Sequence, residues 1–155
     1  MPRDSAQPTP GPECASSLRA RLLARQLLRI NERIPEWIGR AIAERFVAQG
    51  DRVATIYRSG DLPDGVFGVH GDMTSTEQVD EAFSRIEAEL GPVEVLVANA
   101  GITKDQLLMR MSDDEFESVL DVNLGGTFRC VRRASKGMIK ARFGRIVMIS
   151  SVIGL

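Results

Sequence analysis

The sequence predicts an α/β fold, a doubly wound parallel sheet with helices on its faces, and three observations carry that expectation. Apolar or β-branched runs alternate with segments of helical apolar spacing from about residue 36 onward. The run EVLVANAG (94–101) is apolar almost throughout, as a strand covered on both faces must be. Tyr57-Arg58-Ser59, Gly71-Asp72-Met73-Thr74, Asn99-Ala100-Gly101-Ile102 and Ser150-Ser151 all fall at predicted strand ends, where open α/β sheets bind ligands.

Residues 1–17 (MPRDSAQPTPGPECASS) are rich in Pro, Ser and Ala without apolar period and read as a disordered tail. From Leu18 the residues Arg21, Arg25, Arg29 and Arg33 recur at spacing four, a basic stripe on a predicted amphipathic helix whose other face holds Leu23, Leu27, Ile30 and Ile34. Two readings of that helix stand side by side. It is either a membrane-surface or organelle-targeting segment, or a helix lying on the domain with no separate function. Asp4, Glu13, Leu18 and Leu22 favour the second, because they dilute the basic, acid-poor character that targeting requires.

Ile38, Ile42 and Phe46 recur at spacing four before Gly50, which predicts a helix over about residues 36–49. RVATIY (52–57) and VFGVHGD (66–72) read as strands. Thr76 opens a helix with Val79, Phe83, Ile86 and Leu90 on one face, stopped by Gly91-Pro92. EVLVANAG follows as a buried strand. Ser112 with Glu115 forms a capping-box pattern at the start of a long helix running toward Ala141 through Gly125-Gly126. RIVMISS (145–151) reads as a last buried strand.

Composition narrows the function. With 155 residues, 43% hydrophobic and 26% charged, the chain is about one domain long and is neither disordered, collagenous nor coiled coil as a whole. A net charge of −1 gives no global electrostatic reason to expect an anionic membrane, and no nucleic-acid partner is expected. Cys14 and Cys130 make no disulfide framework or zinc spacing, so no metal is expected and a reducing cytoplasm is the default location. No apolar run reaches the roughly 18 residues of a transmembrane segment. The average conceals a seam: residues 1–37 carry six Arg against four acidic residues, whereas 13 of the 14 glycines lie beyond them.

At IGRAIAERF (38–46), VEVLVANAG (93–101), LLMRM (107–111), VLDVNLGGTFR (119–129) and FGRIVMISSVIG (143–154), the sequence resembles the short-chain dehydrogenase/reductase family, whose domain is Rossmann-like. Within it the resemblance is to the actinobacterial 3-oxoacyl-[acyl-carrier-protein] reductases of fatty-acid and mycolic-acid synthesis. It covers about Ile38 to Leu155, so the expected organisation is a non-homologous segment over 1–37 and a partial reductase domain, incomplete at both ends, over 38–155.

The resemblance implies a site, position by position. Asn99, Ala100 and Gly101 are similar to the turn that supports the cofactor. Asp72, with Met73 beside it, is similar to the carboxylate that contacts adenine. Arg58 stands near where an NAD enzyme carries an acidic residue, and a guanidinium there suits the 2′-phosphate of NADPH. Ile38 and Gly39 are similar to the last step of the glycine-rich nucleotide loop. Ser151 resembles the serine that hydrogen-bonds the substrate carbonyl, with Ser150 as the alternative. Asn123 resembles the helix asparagine that holds a water in a proton relay, its other reading being a polar group satisfying backbone at a helix kink. His70 is read as structural, and Cys130 as core.

Two departures follow from the same comparison. Arg33, Ile34 and Trp37 stand where the family's loop glycines would fall, and the family's first strand would have to be Leu28–Glu32, with Arg29 and Glu32 inside a parallel sheet. The family's Tyr-x-x-x-Lys general acid is absent, Tyr57 being the only tyrosine. The function that the resemblance implies is NADPH-dependent reduction of a 3-oxoacyl group on acyl carrier protein, with this chain, lacking that acid and the glycine-rich loop, expected to be inactive alone. The alternative is an inactive chain that acts by associating with a full-length homologue or with itself as a homo-oligomer, since half a sheet exposes strand edges.

Overall fold

The structure, a computed structural model, describes residues 20–24 and 35–151. Strand β1 (Ala20–Ala24) is followed by helix α1 (Pro35–Ala48), strands β2 (Arg52–Tyr57) and β3 (Val66–His70), helix α2 (Thr76–Leu90) and strand β4 (Val93–Ala98). A 3-10 turn (Leu108–Arg110), helix α3 (Asp113–Leu120), a π-helical turn (Asp121–Gly126), helix α4 (Thr127–Ala141) and strand β5 (Arg145–Met148) complete the order. All four strand pairings are parallel, in the order β3-β2-β1-β4-β5. Chain order runs outward from β1 in both directions, so the sheet is doubly wound and its switch point lies between β1 and β4.

The predicted basic helix is corrected at its start: Ala20–Ala24 is a strand, the middle one of the sheet. Its backbone pairs with β2 on one side and β4 on the other, Leu22 opposite both Ala54 and Leu96. Without it, two buried strands would each present a row of unpaired amide groups, a demand that outweighs a spacing-four pattern in one segment. The expected boundary at residue 37 therefore cuts through the sheet, and the first strand lies eight residues before Leu28–Glu32. That alternative strand, the Arg33-Ile34 positions, most of the basic stripe and the tail fall outside the described residues.

Two cores flank the sheet. On one face Ala43 of α1 packs with Val53 and Val97, backed by Ile42 and Phe46. On the other, Val79, Phe83 and Ile86 of α2 and Cys130, Ala134 and Met138 of α4 close over Ile56, Val69 and Leu96. Arg133 fastens α4 to α2: its guanidinium makes bonds of 2.7 and 3.1 Å to Glu87 and lies over the Phe83 ring at 5.2 Å. The α2 ends follow the sequence, with Ser75 accepting from the Gln78 N–H and Gly91 taking φ +85° at the C-cap. The Ser112/Glu115 capping box is also formed.

Two expectations are altered. The long helix after Ser112 is interrupted by the π turn at 121–126. Strand β5 was expected to be buried but is exposed along its length, since it pairs with β4 alone and none of the described helices covers it.

Candidate cofactor site

Because all strands are parallel, their carboxyl ends form one rim. Tyr57 ends β2 opposite His70, the last residue of β3, and the Gly71 N–H donates to the Tyr57 carbonyl at 2.9 Å, extending the ladder by one step. The His70 ring meets Tyr57 edge-on, with centroids 5.9 Å apart. Its Nε2 lies 3.0 Å from the Arg58 carbonyl oxygen, and a carbonyl can only accept, so Nε2 carries the proton. Gly68 makes room for Leu62 and Tyr57, because a Cβ there would collide with the Leu62 side chain and lie 2.9 Å from Tyr57 Cε1.

One residue beyond the ladder, Asp72 forms an Asx turn. Its Oδ1 accepts from the Thr74 N–H at 2.8 Å and the Thr74 hydroxyl at 2.7 Å, while its own N–H donates to Gln78 Oε1 at 2.9 Å. Oδ2 faces the Arg58 guanidinium at 3.7 Å. Partial burial pushes the Asp72 carboxyl up, but the two Thr74 bonds and then the charges of Arg58 and Arg129 outweigh it, and the net shift is downward. Asp72 is held as a carboxylate with one oxygen committed to the turn and the other turned to a cation.

Across the rim, Asn123 grips the loop after β4. Its Oδ1 accepts from the Ile102 N–H at 2.8 Å and its Nδ2 donates to the Ile102 carbonyl at 3.0 Å. Gly101 lies against the same amide, where a Cβ would be in ordinary contact with Asn123 Oδ1. The Asn123 carbonyl accepts the Thr127 hydroxyl at 2.8 Å. Both ends of the Asn123 amide are taken up by the backbone of one residue, Ile102, in the loop after β4 and not at the helix kink.

Arg129, which the sequence reading did not single out, joins the two halves. It donates to Asp121 Oδ1 at 2.7 Å and to the Met73 carbonyl at 3.3 Å, carrying α4 onto the Asp72 turn. Residues eight apart on an α-helix are about 80° out of line, and the extra residue of a π turn brings them nearly back. Gly126 lets the same turn approach Met73, where a Cβ would meet Met73 Cβ at 3.1 Å. Cys130 lies beneath, its thiol 3.6 Å from Met73 Sδ and pushed up to about 12 by burial, which leaves it inert core.

The rim thus brings together Arg58, Asp72, Met73 and the Asn99-Ala100-Gly101 turn, with Asn123 behind that turn. Ser150 and Ser151 follow β5 after Ile149, whose N–H donates to the Ala98 carbonyl at 2.9 Å, so they come at the same end of the sheet as the β4 carboxyl end. Ile38 and Gly39 lie in the first turns of α1 rather than in a loop, Ile38 exposed and Gly39 buried. The Asp72-Met73-Thr74 turn could have been read from its spacing. The His70 and Arg129 contacts had no local sign, since they depend on strand register and on the π turn. Among the described residues no cluster of His, Cys, Asp and Glu could hold a metal, and no helix is long and apolar enough to cross a membrane.

Comparison with known proteins gives the family and the fold. A family model described as short chain dehydrogenase matches residues 36–155. The 3-oxoacyl-[acyl-carrier-protein] reductase MabA of Mycobacterium avium is 50% identical over 118 residues, 76% of this chain and 46% of that protein. The 3-oxoacyl-[acyl-carrier-protein] reductase FabG of Salmonella typhimurium is 41% identical over 125 residues, 76% of this chain and 51% of that protein. Among solved structures, ligand-free aldohexose dehydrogenase of Thermoplasma acidophilum superposes with a TM-score of 0.73 at 33% identity, over 87% of this chain and 51% of that one. The chain spans about half the length of the curated relatives it matches.

Proposed function

The chain belongs to the short-chain dehydrogenase family, and on that premise we propose that it serves the NADPH-dependent reduction of a 3-oxoacyl group carried on acyl carrier protein. The observation that carries this reading is the Arg58–Asp72 pair at the ends of β2 and β3, a cation and a carboxylate on the rim where the family binds its nucleotide. Arg58 offers a planar cation for a 2′-phosphate, Asp72 a fixed carboxylate for adenine, and the Gly101 turn a backbone surface without side chain. The residues fit the adenosine half of NADPH. When bound, that cofactor supplies hydride to the C3 carbonyl. Ser151 then hydrogen-bonds the carbonyl oxygen as charge develops on it, and Asn123 keeps the Ile102 loop in place.

The sequence holds a single tyrosine, Tyr57, whose position at the end of β2 belongs to the nucleotide side of the rim. Residues 1–155 by themselves hold no Tyr-x-x-x-Lys pair that could protonate the product alkoxide. The purified chain is therefore expected to oxidise NADPH with acetoacetyl thioester no faster than background. Turnover at a rate typical of enzymes, about 1 per second or more, would show that another group supplies the proton.

A second reading, association with a full-length homologue or with a second copy, is favoured by exposed apolar surface. Phe116, Leu120, Leu124 and Phe128 are exposed along α3, the π turn and α4, and the last three line one shallow hollow with Glu117 and Asp121. The N-terminal half of this helical run exposes Asp113, Asp114 and Glu117, and the C-terminal half exposes Arg132, Lys136 and Lys140. Antiparallel packing on a related helix would match acidic half to basic half. Co-purification with a full-length reductase tests it, and failure to associate at micromolar concentration counts against it.

A further inference from the structure

Resting on the NADPH reading, we propose that His70 is a positioning residue that determines nucleotide preference, its Nε2–H holding the Arg58 backbone so that the guanidinium is presented beside Asp72. Arg58 is the first residue past β2, outside the ladder, and is followed by Ser59 and Gly60, the latter at φ +95°. A long arginine on such a turn samples many positions unless its backbone is fixed. His70 supplies that fixation from the neighbouring strand at 3.0 Å. The edge-on contact with Tyr57, the residue paired opposite it, sets the ring orientation that aims Nε2 at the Arg58 carbonyl.

The arrangement leaves Arg58 available. Asp72 Oδ1 is committed to Thr74, so Oδ2 alone meets the guanidinium, at a separation of 3.7 Å that spares most of its five N–H donors for an incoming anion. Neither ring nitrogen of His70 is required by the core, since the residue is exposed. A histidine at this position serves the turn that carries the cation.

The test uses the full chain and its His70→Phe, His70→Gln and Arg58→Ala variants. Affinities for 2′,5′-ADP and 5′-ADP are measured by chemical-shift titration, the readout being their ratio. His70→Phe keeps a ring against Tyr57 but removes the donor, and is expected to lower the ratio about threefold to tenfold, with 5′-ADP affinity unchanged. His70→Gln, which can donate from an equivalent place, is expected to hold the ratio within about twofold of the parent. Arg58→Ala is expected to bring it close to one. Independently of any nucleotide, His70→Phe and Arg58→Ala should each raise the Asp72 titration midpoint, and His70→Gln should not.

A collapsed ratio in Arg58→Ala with an unchanged ratio in His70→Phe overturns the inference and leaves the NADPH reading standing. An unchanged ratio in Arg58→Ala, or no preference in the parent chain, overturns both. Equal weakening toward both nucleotides in His70→Phe assigns His70 a purely structural part and also contradicts the proposal. If His70→Phe does not fold, His70→Gln decides, a loss of the parental ratio counting against the role.

Discussion

Asn123 and Ile102 lie 21 residues apart and are joined by two hydrogen bonds, the asparagine amide accepting from the Ile102 N–H at 2.8 Å and donating to its carbonyl at 3.0 Å. Ile102 is nearly buried and the β4 loop has no ladder partner there, so the side chain stands in for a missing strand. Asn123→Ala is expected to cost about 1–2 kcal/mol and to lower Tm by roughly 2–8 °C in a chain of this size. Asn123→Asp keeps the acceptor, loses the donor and should fall between. Thermal unfolding followed by circular dichroism checks both; an unchanged Tm in Asn123→Ala would show that the loop is held otherwise.

Asp72 sets an acid limb to stability. Its folded pKa lies below the ordinary aspartate value, so the stabilisation is fully present above the unfolded value near 3.9 and is lost as pH falls through the folded one. Asp72→Asn, which can still accept from Thr74 but carries no charge, is expected to lower stability at neutral pH and to flatten the stability profile below about pH 4, so that parent and variant converge in acid. Urea unfolding from pH 6 to pH 2.5 measures it, and parallel profiles for parent and variant would contradict the assignment.

Gly126 is a packing position shared by helix and rim. A Cβ would meet Met73 Cβ at 3.1 Å, and Met73 is itself buried with its carbonyl bound by Arg129. Gly126→Ala is expected to destabilise by about 1–3 kcal/mol and to displace the Asp72 turn, seen as shifted amide resonances at Met73 and Thr74. Spectra that move only near residue 126 would show that the helix gives way instead.

The exposed stripe makes its own prediction. Leu124 is two-thirds exposed at its centre. Leu124→Glu is expected to shift sedimentation velocity toward monomer and to leave Tm within about 2 °C, since a surface change of this kind removes no core contact. A parent chain already monomeric at 100 μM, roughly the level a modest interface requires, would remove the case for association.

Much of this was legible in the residues because it is local. The capping box at Ser112, the Ser75–Gly91 helix and the strand runs of β2, β3 and β4 each follow from period and end chemistry within a dozen positions. What was hidden depends on partners far away in sequence. Ala20–Ala24 follows a helical pattern and becomes a strand because β2 and β4 leave a vacant lane between them. The π turn at Asp121–Gly126 hides inside a continuous helical period and shows itself through Arg129 reaching Asp121 and Met73 together. Arg58, Asp72 and the Asn99-Ala100-Gly101 turn could be named from family likeness, but that Arg58 leans on Asp72 and that His70 holds its carbonyl required the register of β2 against β3.

The central claim is that the β2–β3–β4 rim is an NADPH site, and titration of the purified chain into NADPH and into NADH, followed by nicotinamide fluorescence, tests it most directly. Weak binding in about the millimolar range is expected, with NADPH preferred over NADH and the preference abolished by Arg58→Ala. Equal response to both cofactors, or none up to several millimolar, would contradict the account.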